Sequence, residues 1–340
     1  MDASEDRPVL VTGGSGYLAG HIIVQLLQTG RSVRTTIRDL AGADEVRTTL
    51  ERHASTAGLT FHAANLMSDP GWDAALAGTG HVIHVASPMP VREYRGQDLE
   101  RPAREGVRRV REAARRAGVQ RVVMTSSTAA ASPGGTGSSP SDETIWTDLS
   151  DRNVSPYARS KTLAEQDAWA LARASGGDLV LTTILPGMVQ GPALGPDVSG
   201  SLEVPLRMLT GRLPLVPRVS FCGVDVRDAA ELHIKAMTDD RAPGERIIAA
   251  GAPLWFREIA ATLKSRLGGK AAKVSTREAP DWLVRTMGLF SPDARFMAAD
   301  LVKRRSYTST KARTILGRPL CPLEDAVTAA GQSLIDYDLV

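Results

Sequence analysis

The sequence predicts an α/β chain, a doubly wound parallel sheet joined to a smaller mixed C-terminal lobe. Three observations predict it. Short apolar runs alternate with amphipathic stretches through the N-terminal half, the pattern of β-α-β crossovers. The first run leads straight into a glycine cluster and then a helix, the context of a dinucleotide-binding turn. After Pro186, prolines at 192, 196, 205, 214 and 217 break the alternation into short helices and long loops.

The elements follow in order. Pro8–Thr12 is apolar and valine-rich, so it reads as a buried strand. Leu18, Ile22, Ile23, Leu26 and Leu27 fall at helical spacing and predict a helix over Leu18–Thr29. Further strands are expected at Ser32–Ile37, Leu59–Ala63, His81–Ala86, Arg121–Ser126 and Asp178–Leu185. Helices are expected at Asp98–Ala117 and Ser155–Ala174, with Gly176-Gly177 ending the latter. Ser132 to Pro140, rich in Gly and Ser, reads as a flexible loop. Phe221–Asp239 reads as a return to the core. The expected division is 1–189 for the sheet domain, with 221–250 returning to it. Residues 190–220 and 251–340 form the lobe.

Chemistry concentrates at the ends of these strands, where open α/β sheets bind ligands. The turn Gly13-Gly14-Ser15-Gly16-Tyr17-Leu18-Ala19 fits two glycine registers, from Gly13 or from Gly14. Glycines let the backbone approach a pyrophosphate, and the helix start supplies free N–H groups. An NAD enzyme usually places an acid about 20 residues further on, for the ribose hydroxyls. Here Ile37 and then Arg38 stand at that strand end. A guanidinium pairs with a 2′-phosphate, which points to NADP(H). Arg34 is a possible helper, and Asp39 a possible neutraliser of Arg38. On the later helix, Tyr157 and Lys161 lie four apart and so share a face. A nearby cation lowers a phenol's pKa toward the working range, so the pair is suited to proton transfer.

Taken together, these motifs resemble an extended short-chain dehydrogenase/reductase. The chain is most similar to the group of dihydroflavonol reductase, cinnamoyl-CoA reductase and microbial aldehyde/ketone reductases. The likeness rests on the glycine turn, Thr35-Thr36-Ile37-Arg38-Asp39, His84-Val85-Ala86-Ser87-Pro88-Met89 and Thr125-Ser126-Ser127. It continues through Tyr157–Trp169 and Val224-Asp225-Val226-Arg227-Asp228. It implies a Rossmann sheet and a catalytic set of Ser127, Tyr157 and Lys161: the tyrosine gives a proton, the lysine tunes it and holds the nicotinamide ribose, and the serine binds the substrate oxygen. Cofactor contacts are expected from Gly13, Ser15, Gly16, Tyr17, Leu18 and Arg38, then Asn65 and Leu66. Asn65 stands where the family often has an acid. Val85, Ala86 and Ser87, Thr125, Tyr157 and Lys161, and Pro186, Gly187 and Val189 complete the set. Substrate contacts are expected from Met89, Ser127, Met188 and Phe221. Ser132 occupies the place of an asparagine in the plant flavonoid enzymes, which argues against a flavonoid substrate.

The expected function is NADPH-dependent, reversible reduction of an aldehyde or ketone. The alternatives are a sugar-nucleotide epimerase or dehydratase and a non-catalytic NADP-sensing regulator. Ile37 speaks against tight NAD retention in an epimerase. Ser127-Thr128-Ala129-Ala130 lacks the acidic pair of a dehydratase. The intact serine, tyrosine and lysine speak against a regulator.

Bulk properties exclude other classes. A net charge of +3 implies no polyanion partner. The arginines between 101 and 116 read as a solvated helix face rather than a nucleic-acid patch. The histidines have no metal spacing, and Cys222 and Cys321 lie far apart. The thiols imply a reducing, cytoplasmic setting. The polar opening residues do not read as a signal peptide, and no apolar run approaches membrane-spanning length. Asp225 and Asp228 read as helix-start caps, and Thr125 and Thr128 as backbone caps. A monomer or homodimer is expected.

Overall fold

The computed structural model describes residues 7–88, 98–132, 140–176, 179–198 and 200–340. Seven parallel strands form the main sheet in the order β3-β2-β1-β4-β5-β6-β9. They are β1 (Val9–Thr12), β2 (Val33–Ile37), β3 (Leu59–Ala63), β4 (His81–His84), β5 (Arg121–Thr125), β6 (Val180–Pro186) and β9 (Arg246–Ala249). The order reverses between β1 and β4, so a crevice opens at their carboxyl ends. The second sheet is β10-β8-β7, from β7 (Met188–Gln190), β8 (Ser220–Asp225) and β10 (Pro253–Trp255). There β7 pairs with β8 in parallel, and β8 with β10 antiparallel.

Side-chain alternation assigns the strands' residues to two covered faces. Val9, Val11, Val123 and Ile184 face one core with α1 (Tyr17–Gln28) and α7 (Val226–Lys235). Leu10, Val82, Val122 and Leu181 face the other, under α3 (Trp72–Leu76), α4 (Glu100–Arg116) and α5 (Pro156–Ala174). Burial on both faces explains the continuous apolar runs. α2 (Ala43–Glu51) lies between β2 and β3 in the chain.

In the lobe, α6 (Glu203–Leu209), α8 (Phe256–Leu267) and α12 (Leu323–Asp336) pack around Met208, Phe256, Ile259, Leu263 and Val327. α9 (Asp281–Met287) and α10 (Pro292–Ala299) pack on each other at its edge. α11 (Thr310–Leu316) instead sends Ala312, Ile315 and Leu316 into the core of the main sheet. Within 221–250, β8 lies in the small sheet while α7 packs on α1 and β9 extends the main sheet.

The arginines of α4 depart from a plain solvated face. Arg104 reaches Asp167 on α5, and Arg109 reaches Asp69. Arg111 is buried and donates to the Ala168 carbonyl, and burial lowers its pKa to about 10. The helix is therefore riveted to α5 by arginine stems as well as by alanines and valines. No helix among the described residues is long and apolar enough to cross a membrane.

Candidate active site

The crevice begins at the glycine turn. Gly13 has φ +76°, and a Cβ there would stand 3.1 Å from the Ala86 Cβ. Gly13 N donates to Thr36 Oγ1 (3.1 Å) and Gly14 N to the Thr36 carbonyl (2.9 Å). The turn is thus held against the ends of β2 and β4. Gly16 precedes α1 with no side-chain cap, and the first turn carries no acid. Its N–H groups are left for an anion. Ser15 and Gly16 are exposed there. Tyr17 and Leu18 turn their side chains inward, and the Tyr17 ring stacks edge-on against His21. Their part in holding an anion would come from backbone.

Arg38 is exposed at the end of β2, two residues past the threonine that receives the turn. Arg34 is committed elsewhere: it donates to His62 and to the Ala77 carbonyl. That removes it as a helper for Arg38. Asn65 is exposed just beyond β3, where its side chain accepts from Met67 N, and Leu66 is half-buried beside it. Val85 and Ala86 follow β4, and both backbone N–H groups donate to Thr12 Oγ1. With its lone pairs occupied, Thr12 must donate its proton to His84 Nδ1 (2.9 Å). His84 is neutral, its pKa pushed down to about 3 by burial and then by Lys161. These features suit a dinucleotide: a backbone cradle, an uncapped helix start and an exposed guanidinium at the neighbouring strand end.

Tyr157 and Lys161 lie along α5. Pro156 opens the helix and Ser155 caps it, accepting from Ala158 N (3.1 Å). This sets Tyr157 in the first turn and Lys161 directly below it. Lys161 is buried, with Nζ 5.9 Å from the centre of the Tyr157 ring. Ser127 follows β5, its Oγ accepts from Ala129 N (3.2 Å), and its hydroxyl lies close enough to Tyr157 to pull that phenol's pKa down. Serine and tyrosine, thirty positions apart, therefore meet at one point.

The electrostatics differ from the sequence expectation. Burial raises the Tyr157 pKa, and the opposing influence is the nearby Ser127 hydroxyl rather than Lys161. Burial lowers Lys161 to about 8, with Glu165 acting against it. Desolvation, not a neighbouring cation, sets the direction here. The phenol holds its proton at neutral pH.

Other expectations resolve by geometry. His233 Nδ1 faces the Ala229 carbonyl (2.6 Å) and must donate to it, so Thr125 Oγ1 donates to Nε2 (2.8 Å). Thr125 is thus a partner of a buried histidine, not a backbone cap. Asp225 caps α7, accepting from Arg227 N (2.8 Å), but Asp228 instead accepts from Cys321 N and pairs with Arg318. Pro186 is buried at the end of β6, and Gly187 N donates to the Ala249 carbonyl. Met188 and Val189 are half-buried on β7. Phe221 is half-buried and meets Phe256 edge-on at 5.4 Å, on the rim of the lobe core. Met89 lies outside the described residues. Cys222 and Cys321 are free thiols, and no metal-type cluster occurs among the described residues.

Sequence reasoning missed the layer beneath the cluster, built on Glu165 and Arg246. Glu165 is fully buried and Arg246 nearly so. The spacing 157, 161, 165 carried the signal for the glutamate. Nothing in the local sequence marked Arg246, some eighty residues on.

A doubly wound sheet with this turn and this serine–tyrosine–lysine cluster defines an extended short-chain dehydrogenase/reductase. The profile described as the NAD dependent epimerase/dehydratase family matches residues 9–251, and the chain belongs to that family. It is 36% identical over 250 residues to cinnamoyl-CoA reductase 2 of Arabidopsis thaliana, covering 72% of this chain and 73% of the relative. It is 32% identical over 277 residues to dihydroflavonol 4-reductase of Zea mays, covering 78% and 75%. In fold it is similar to a yeast methylglyoxal/isovaleraldehyde reductase complexed with NADPH, with a TM-score of 0.77 at 20% identity over 97% and 99% of the two chains.

Proposed function

We propose that this chain is an NADPH-dependent reductase that converts an aldehyde or ketone to its alcohol. One observation carries the reading: a protonated phenol stands beside a serine hydroxyl and a buried lysine, near the crevice at the carboxyl ends of the main sheet. The reductase relatives support it, as does the NADPH bound by the yeast structure.

The glycine turn and the start of α1 would hold the pyrophosphate, and Arg38 the 2′-phosphate. When bound, NADPH supplies a hydride to the carbonyl carbon. Ser127 donates a hydrogen bond to the carbonyl oxygen and draws charge onto it. Tyr157 gives its proton to that oxygen as the alkoxide forms. Lys161, mostly protonated at pH 7 with a pKa of about 8, stabilises the phenolate left behind. The phenolate is then reprotonated from water. We assign Met188 and Phe221, both half-buried against the lobe core, to the substrate pocket. We assign residues 1–189 and 221–250 to cofactor binding, and 190–220 and 251–340 to the substrate side.

The test is a carbonyl panel with NADPH consumption and released alcohol as paired readouts. Stoichiometric oxidation of NADPH with alcohol formation is expected. Conversion of a nucleotide sugar with no net NADPH loss would replace the reading with the epimerase.

A further inference from the structure

Directly below the catalytic cluster lies a buried ion pair that the proposed chemistry does not use. Glu165 stands one helical turn beyond Lys161 and two beyond Tyr157, on the same face of α5. Its carboxylate accepts from Ser126 Oγ (2.7 Å), Thr183 Oγ1 (2.7 Å), and Arg246 Nε (2.8 Å) and Nη2 (3.3 Å). Arg246 donates onward from Nη1 to the carbonyls of Glu143 (2.8 Å) and Ile145 (2.7 Å), and from Nη2 to that of Ala130 (3.3 Å). Its guanidinium stacks 3.7 Å from the centre of the Trp146 ring.

These contacts bracket Ser127. Ser126 immediately precedes it, and Ala130 closes the short turn that Ser127 opens. One partner of the pair rides on the helix that carries Tyr157. The other rides on β9. A buried ion pair is weak evidence for stability, because apolar groups of similar volume often serve as well. What this pair adds is direction. It fixes the serine's neighbours on both sides to the tyrosine's own helix.

We propose that Glu165 and Arg246 are positioning residues, which fix the Ser127 hydroxyl against the Tyr157 phenol and keep a negative charge one helical turn from Lys161. The inference rests on the active-site reading above. The charged and titratable groups around Lys161 are Tyr157 and Glu165 from its own helix and His84 from the end of β4. His84 is neutral throughout the working range. Glu165 is thus the charge that holds the lysine's proton against burial.

The test uses the full-length Glu165→Gln/Arg246→Met double variant, which removes both buried charges together, beside Glu165→Asp and Tyr157→Phe. The double variant should remain folded by thermal melting, and NADPH affinity should stay within about threefold because its phosphate contacts are assigned to the glycine turn and Arg38. Turnover should fall about tenfold or more, as expected when a hydroxyl is misplaced. The alkaline limb of kcat/KM should move down by less than about one pH unit, because the lysine loses the anion one turn away while loss of the paired guanidinium offsets part of the change. Glu165→Asp keeps the charge and shortens the reach, so kcat should fall while the limb stays. A folded double variant with parental kcat and an unmoved limb would overturn the proposal. If the double variant does not fold, parental kcat in Glu165→Asp overturns it instead. Turnover surviving in Tyr157→Phe rejects the active-site reading. Turnover lost there but parental in the double variant rejects only the positioning role.

Discussion

Gly14→Ala gives a direct measure of how tightly the cofactor turn is seated. A Cβ at residue 14 would stand 2.2 Å from Thr35 Oγ1 and 2.8 Å from its Cγ2, inside any allowed contact. Thr35 is fully buried on β2, and its hydroxyl donates to the Val11 carbonyl at 2.8 Å. Relief requires Thr35 to rotate, losing a hydrogen bond worth about 1 kcal/mol, or the turn to lift. Overpacking of this kind costs about 1–3 kcal/mol, so the total is about 2–4 kcal/mol. With an unfolding entropy of roughly 2 cal/mol/K per residue, a 340-residue chain loses about 1.5 °C per kcal/mol, so Tm should fall about 3–6 °C. NADPH affinity should fall too, because a lifted turn misaims its N–H groups. Scanning calorimetry with and without NADPH measures both. Thr35→Ala removes the two closest atoms, so adding it should recover about 1 kcal/mol or more of the loss as a coupling energy. Gly42→Ala, where a Cβ meets nothing within 4 Å, should be neutral. Parental stability in Gly14→Ala, or strict additivity in the double variant, would refute the packing argument.

Further outcomes follow from the same geometry. Arg38→Ala should weaken NADPH by about 1.5–3 kcal/mol and leave NADH nearly unchanged; equal kcat/KM for the two cofactors in the parent would reject the 2′-phosphate role. Tyr157→Phe should lower turnover by about 10²–10⁴-fold with NADPH binding retained; near-normal turnover removes the phenol from the mechanism. Met188→Ala and Phe221→Ala should reorder bulky against small ketones in the carbonyl panel; an unchanged ranking places the pocket elsewhere. Burial holds His21 and His233 at about 4 and His84 at about 3. All three lie below the unfolded value near 6.5, so between those limits the unfolded chain binds more protons and stability falls as pH drops. At pH 5 each histidine should cost up to about 2 kcal/mol. Urea midpoints at pH 7 and pH 5 check this, and an unchanged midpoint would show the histidines to be solvated.

The main sheet was legible because burial on both faces leaves strands as unbroken apolar runs. Val9-Leu10-Val11 and Val82-Ile83 are such runs, and their predicted boundaries differ from the observed ones by a residue or two. The glycine turn and the pair on α5 were legible because each is a local pattern with its own chemistry. Three kinds of feature were not. Arg111 was read with its helix neighbours, although position alone decides that it points inward. The direction of the Tyr157 shift needed burial, which a sequence does not state. Arg246 and Glu165 meet only because β9 is laid beside β6, a pairing across some sixty residues. The lobe is the least legible part, because its prolines suppress periodicity and its helices are short.

The last strand of the main sheet carries a consequence for synthesis. β6 ends at Pro186, but its outer neighbour β9 begins at Arg246. At about 5–20 residues per second, a ribosome needs roughly 3–12 s to make the intervening stretch. Throughout that interval the emerging chain has an unpaired β6 edge, an invitation to pair with another strand. It also has Glu165 without its cation. A chain stopped after residue 189 would stay in that condition, so it should aggregate rather than accumulate as a folded half-enzyme. Extending it through Ala249 supplies both the missing edge and the missing charge.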